Sequence, residues 1–194
     1  MCGQGDESRT YATWDSALLC LFFDNLTPVQ KVVFTPQVDK FEALQIKGLY
    51  ELFESRVDGD LTITAMSNGV RSRPTIFKRG TEVAQILNLV IGLEKGKIKF
   101  LEWRNNCFDG QGCRPDECKD TSIVHEGERH TEFNCFLGGC ENVSDNTCDS
   151  QVFVTWVGRD NNRDDCTSDN YRISSFYNFS IISYLNAARE LANF

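Results

Sequence analysis

Val83-Ala-Gln-Ile-Leu-Asn-Leu-Val-Ile-Gly-Leu93, followed by Glu94-Lys-Gly-Lys97 and Ile98-Lys-Phe-Leu-Glu-Trp103, is the stretch whose reading decides the fold. The first part is nearly continuous in apolar residues, as expected of a strand buried on both faces. The charged, glycine-containing tetrapeptide reads as a turn, and the last part as the returning strand. Together they predict a β-hairpin over about residues 83–103.

The same period-two logic carries outward in both directions. Leu61, Ile63 and Ala65 alternate with Thr62 and Thr64, and Val152, Val154 and Trp156 alternate with Phe153, Thr155 and Val157. Val32 to Phe34, Pro74 to Phe77 and Ile173 to Ile182 read as further strands. Asp15 to Phe23 is too short to separate strand from helix. Two helices are expected. Asp39-Lys-Phe-Glu42 has the form of a capping box, and Phe41, Leu44, Leu49, Leu52 and Phe53 follow near helical spacing, which predicts a helix over about 40–55 despite Gly48. Ser183 to Phe194 carries Leu185, Ala188, Leu191 and Ala192 at amphipathic spacing. The expected architecture is mainly β with a minor α contribution: an antiparallel β-sandwich or open barrel, one mid-chain helix and a short C-terminal helix. Residues 1–12 read as a flexible tail and 13–194 as one domain, as the 194-residue length also suggests.

Residues 104–150 break this pattern. They are rich in Cys, Gly, Asn, Asp and Glu and have too few apolar side chains to build a core. The chain holds nine cysteines, seven of them between Cys107 and Cys166. No C-x-x-C pair occurs, so zinc-finger spacing is not met. A disulfide framework is the better reading, with Cys20, Cys107, Cys113, Cys118, Cys135, Cys140, Cys148 and Cys166 bridged. Each bridge contributes roughly 2–4 kcal/mol, enough to hold such an insertion. Nine is odd, and Cys2, near the terminus, is the expected unpaired or intermolecular thiol. Three N-x-[ST] sequons, at Asn25, Asn142 and Asn178, agree with a secretory history. The start Met1-Cys-Gly-Gln-Gly-Asp6 has no basic region leading into an apolar run. The secretory reading therefore implies a mature fragment.

The net charge of −8 argues against a general nucleic-acid binder or an electrostatic membrane anchor. No run is long enough to cross a bilayer as a helix. His125-Glu-Gly-Glu-Arg-His130 is one residue too long for the H-E-x-x-H zinc motif, and Gly127 weakens any helix there. Asp160, Asn162 and Asp164 alternate like calcium ligands, but the glycine and glutamate of an EF-hand are missing, so a β-loop calcium site is the only form left. The competing reading is a polar hairpin tip. No nucleophile elbow or phosphate loop is present. Trp156, among valines, is expected in the core, and Trp103 on a rim.

These readings lead to a secreted or cell-surface, disulfide-rich glycoprotein domain. Its expected role is binding or structural interaction, without catalysis, toward a protein or carbohydrate partner, with self-association open through the odd cysteine. No cofactor other than calcium is indicated. Two rivals remain: an extracellular hydrolase using carboxylates or a metal near His125 and His130, and an intracellular zinc protein.

Overall fold

The computed structural model describes residues 9–24, 26, 29–47, 60–104, 107, 116–121, 123–125, 127–130, 133–137 and 149–171. Fourteen strands follow in order: β1 Leu19–Asp24, β2 Gln30–Phe34, β3 Glu42–Ile46, β4 Leu61–Ser67, β5 Val70–Arg71, β6 Thr75–Arg79, β7 Glu82–Glu94, β8 Lys97–Arg104, β9 Cys118–Asp120, β10 Ile123–His125, β11 Glu128–His130, β12 Phe133–Leu137, β13 Ser150–Arg159 and β14 Asp165–Cys166. Twelve of them form one open sheet, and β10 with β11 forms a separate hairpin. Neither a second facing sheet nor barrel closure is seen among the described residues.

β7 organises the sheet. Its Glu82 and Val83 pair with β6, and Val83, Ala84 and Ile86 with β12. Its second half pairs with β8 from Asn88↔Arg104 to Glu94↔Lys97, with a register shift after Gly92. This is the expected hairpin, turning through Lys95 and Gly96, both at positive φ. Leu87, Leu89, Ile91 and Leu93 point into the core cluster with Trp156, Val154, Leu101 and Trp103. Val90, on the opposite face, is buried too, so covering on both sides is what the unbroken apolar run encodes.

The expected all-antiparallel sheet fails at one pair. β13 runs parallel to β7, from Gln151↔Ile86 to Gly158↔Leu93. Parallel neighbours need a long connection to bring the chain back to the same end. The Cys-rich segment 104–150 lies within that connection, so its length serves the topology. β9 and β12, which belong to it, pair with each other and continue the sheet beside β7.

The mid-chain helix is a correction. Residues 42–46 form strand β3, antiparallel to β13 from Glu42↔Val154 to Ile46↔Ser150. Leu44 and Ile46 turn inward while Ala43 and Gln45 are exposed, so period two prevails over the 3.6-residue spacing of the longer window. Residues 48–55 of that expected helix, the strand read at 173–182 and the helix read at 183–194 lie outside the described residues. Among the described residues there is no α-helix, only a 3₁₀ turn at Ser168–Tyr171. The N-terminal tail is also shorter than expected. Tyr11 is buried, its N–H donates to Gly96 O (2.9 Å), and its carbonyl accepts from Asn161 N–H (3.0 Å).

Gly92 illustrates how the outer face is tuned. A Cβ built there would fall 2.1 Å from Cε1 of Phe100, the cross-strand partner on β8. The aromatic ring thus covers a glycine in mid-strand. Phe100 is 41% exposed, so it can swing away. Gly92→Ala is expected to cost about 1 kcal/mol, read from the denaturant midpoint. In a Phe100→Ala background the same substitution should cost less than half as much, because the two residues are in contact.

Candidate functional site

Several loops meet at the end of the sheet where β7 turns into β8, and one carboxylate ties them together. Asp160, buried just past β13, accepts four hydrogen bonds: from Thr13 N–H (2.9 Å) and Thr13 Oγ1 (3.1 Å) at Oδ2, and from Asn162 N–H (2.8 Å) and Asp164 N–H (2.9 Å) at Oδ1. The Thr13 N–H, with the other donors, holds this carboxyl below the usual carboxylate range. The segment so clipped continues through Trp14, whose N–H donates to Val38 O (3.0 Å), and Asp15, whose carboxylate accepts from Ala12 N–H (2.7 Å). Asp39 Oδ1 accepts from Thr167 N–H (2.6 Å) and Ser168 N–H (2.8 Å) at the start of the 3₁₀ turn. The acceptor of the expected capping box therefore does cap, but across 128 residues of sequence rather than locally.

Trp14 is the outcome of this bracing. It is 64% exposed and sits at φ 75°. A bulky side chain in the left-handed region is a true outlier, costing on the order of 1 kcal/mol. Arg163, on the other side of the Asp160 clip, has φ 73°. Beside them Asn161, Asn162 and Asp164 are exposed, and the side chains of all four loop residues 161–164 make no hydrogen bond among the described residues. The clip thus joins the segment that carries an exposed aromatic side chain to a loop with uncommitted amide, guanidinium and carboxylate groups.

The residues read as calcium candidates, Asp160, Asn162 and Asp164, all belong to this loop. The oxygens of Asp160 already serve N–H and O–H donors, so Asp160 works as a turn and clip residue. Among the described residues no three His, Cys, Asp or Glu side chains are grouped to hold a metal ion. No helix there is long and apolar enough to cross a membrane.

The cysteines follow the disulfide reading with one exchange. Cys107 and Cys118 are bridged, and Cys20 and Cys135 are also disulfide-bonded. Cys166 was expected in a bridge and is instead a free, buried thiol. Its pairing with Gly158 on β13 turns the side chain into the hydrophobic core. Burial, and then the charges of Asp39, Asp160 and Asp165, push its pKa up to about 12. With Cys166 free, the remaining eight cysteines are even in number, which removes the reason for assigning the odd thiol to Cys2. Cys2, Cys113, Cys140 and Cys148, and the sequon residues Asn25, Asn142 and Asn178, lie outside the described residues.

His125 and His130 belong to the β10–β11 hairpin. Its register sets His125 opposite Glu128 and His130 opposite Ile123, around Gly127 at φ 84°. Trp156 is in the core as expected. Trp103 is buried rather than on a rim, because its Nε1–H donates to Arg73 O (3.0 Å) and closes β8 against the β5–β6 connection.

Residues 70–193 match the family described as "Uncharacterised protein DDB_G0273449". The chain belongs to this family. No curated protein and no solved structure matches the chain. The family's span takes in the β7–β8 hairpin, the Cys-rich segment, β13 and the Asp160 loop, while Trp14 and Thr13 precede it. The Thr13–Asp160 clip therefore fastens the family's common region to the segment before it.

Proposed function

We propose that the chain is a secreted or cell-surface, disulfide-rich glycoprotein domain that acts as a binding or structural interaction module, with the Trp14–Asp160 end as its recognition surface. The observation that carries this reading is the exposed, strained Trp14. Strain persists where the surroundings over-determine it, and it concentrates at functional sites. A large aromatic side chain in water is also the commonest anchor of interfaces. The bridged cysteines support an oxidising compartment, and a covalently stapled sheet supplies the rigidity such a surface requires.

Alkylation tests this reading. Protein from a secretory host should take up almost no label when folded, because the one free thiol among the described residues, Cys166, is buried and mostly protonated below its raised pKa of about 12. Unfolding without reduction should expose one thiol, Cys166, and reduction eight more. Glycosidase treatment should lower the intact mass through one or more of the sequons. Labelling of most cysteines without reduction would overturn the extracellular assignment.

A further inference from the structure

We infer that the Trp14 surface is a saccharide subsite, in which a pyranose ring stacks on the Trp14 indole and its hydroxyls bond to the 161–164 loop. This inference rests on the binding-module reading and names its ligand class. The argument begins with what the carboxylates at this end are already doing. Asp160 is saturated by four donors, Asp39 caps the 3₁₀ turn, Asp15 accepts from Ala12 N–H, and Asp165 is paired with Arg159 at 2.7 Å. A surface built to capture a cationic peptide would keep its carboxylates free for the ligand. Here the acids serve the loops, and the uncommitted groups on the clipped loop are two amides, Asn161 and Asn162, with one guanidinium and one carboxylate, Arg163 and Asp164.

That set is chemically suited to hydroxyls. Each amide offers paired donors and an acceptor, Arg163 offers donors and Asp164 acceptors, so together they match vicinal hydroxyls that both give and take protons. The ring supplies the other half. The C–H bonds on one face of a pyranose are weakly positive and fit the negative face of an indole. Stacking also needs a ring that does not turn away, since ordering a mobile side chain on binding lowers affinity. The bonds on either side of Trp14, from Thr13 to Asp160 and from Trp14 N–H to Val38, fix its backbone before any ligand arrives. Across the clip, the Asn162 N–H is held by the same carboxylate, so the backbones that carry the ring and the amide are braced by one group.

Tryptophan fluorescence provides the test. The chain has three tryptophans, and Trp103 and Trp156 are buried, so the acrylamide-quenchable emission reports Trp14. Titration of the oxidised, full-length protein with chitotriose, mannotriose and lactose should give, for at least one, a saturable blue shift and protection from quenching. Weak affinity, in the millimolar to high micromolar range, is expected of one stacking site. Binding followed by calorimetry or ligand-observed NMR should fall at least tenfold in Trp14→Ala, recover in part in Trp14→Phe, and fall severalfold in Asn162→Ala, with unchanged circular dichroism throughout. Full binding by Trp14→Ala would overturn the site. An oxidised protein whose emission none of the three saccharides moves would overturn the ligand class and leave the binding-module reading standing. Reduced, unbridged protein would overturn that underlying reading instead. If Trp14→Ala fails to fold, Trp14→Phe with Asn162→Ala carries the same decision.

Discussion

Gly158→Ala is expected to prevent folding, or to leave a native state weakened by more than about 4 kcal/mol. Gly158 ends the parallel pairing of β13 with β7, opposite Leu93, and begins the pairing with β14, opposite Cys166. Its φ is 93°, and a Cβ placed there would lie 2.0 Å from the carbonyl oxygen of Leu93. Two penalties coincide. The backbone conformation is one that side-chain-bearing residues rarely adopt, and the clash is with main chain, which has no rotamer to escape into. Relief would require separating β13 from β7 where Leu93 and Trp156 meet the core. Gly80 is the control. It has φ 57° with no atom within 4 Å of a built Cβ, so Gly80→Ala should cost only about 1 kcal/mol. Soluble yield and guanidinium midpoints of the two variants provide the comparison. A Gly158→Ala protein with the parental midpoint would show that β13 does not approach β7 this closely.

The sequence carried the strands well where burial was simple. The β7–β8 hairpin, β4 and β13 were legible because apolar runs and strict alternation follow directly from having two faces, one face or both covered. β3 was not, since five residues of alternation were outvoted by a longer window with helical spacing and a capping signature. The capping acceptor Asp39 was real, but its donors at Thr167 and Ser168 come from a distant loop, and no local rule names a partner that far along the chain. The parallel β7–β13 pair was illegible for the same reason: direction depends on how a long connection returns, not on the composition of either strand.

The candidate site divides the same way. The loop at 160–164 attracted attention as a string of oxygen ligands, and those residues do organise the region. Their task differs because Asp160 turns inward to N–H donors. Trp14 is one of three tryptophans for which exposure, and with it stacking on a sugar or a partner, is a question the sequence raises, but no local pattern answers it for this residue. A lone tryptophan after Tyr-Ala-Thr, just past what reads as a tail, is indistinguishable from a core residue until the fold shows it exposed. Cys166 shows the limit of counting: parity demands an odd thiol but cannot say which. Only its position against Gly158, with the side chain in the core, identifies it.

Asp160 is where the second large effect is expected, and the reasoning is one of donors left over. Four donors converge on two oxygens. Alanine strands all of them, and asparagine is little better, because its NH₂ would face N–H groups and its one oxygen cannot serve both sides of the clip. Buried donors without acceptors cost more than the bond itself contributed. Asp160→Asn and Asp160→Ala should therefore both lower the melting temperature by roughly 5–10 °C, and trypsin should cut faster at Arg9 and Arg163 as the two clipped segments loosen. The pH dependence separates charge from geometry. The carboxyl is held below its ordinary value in the fold, so its stabilisation is complete above the ordinary carboxylate range and is lost as pH falls through the depressed value. Melting temperatures of the parent should decline on acidification through that window, while Asp160→Asn, which has no proton to gain there, should show a shallower decline. Parallel curves would mean that the donors recognise the shape of the side chain and not its charge. Trp14 is then the internal reporter: if the clip presents the ring, its emission and quenching must change in Asp160→Asn even at neutral pH and low temperature, well before the sheet unfolds.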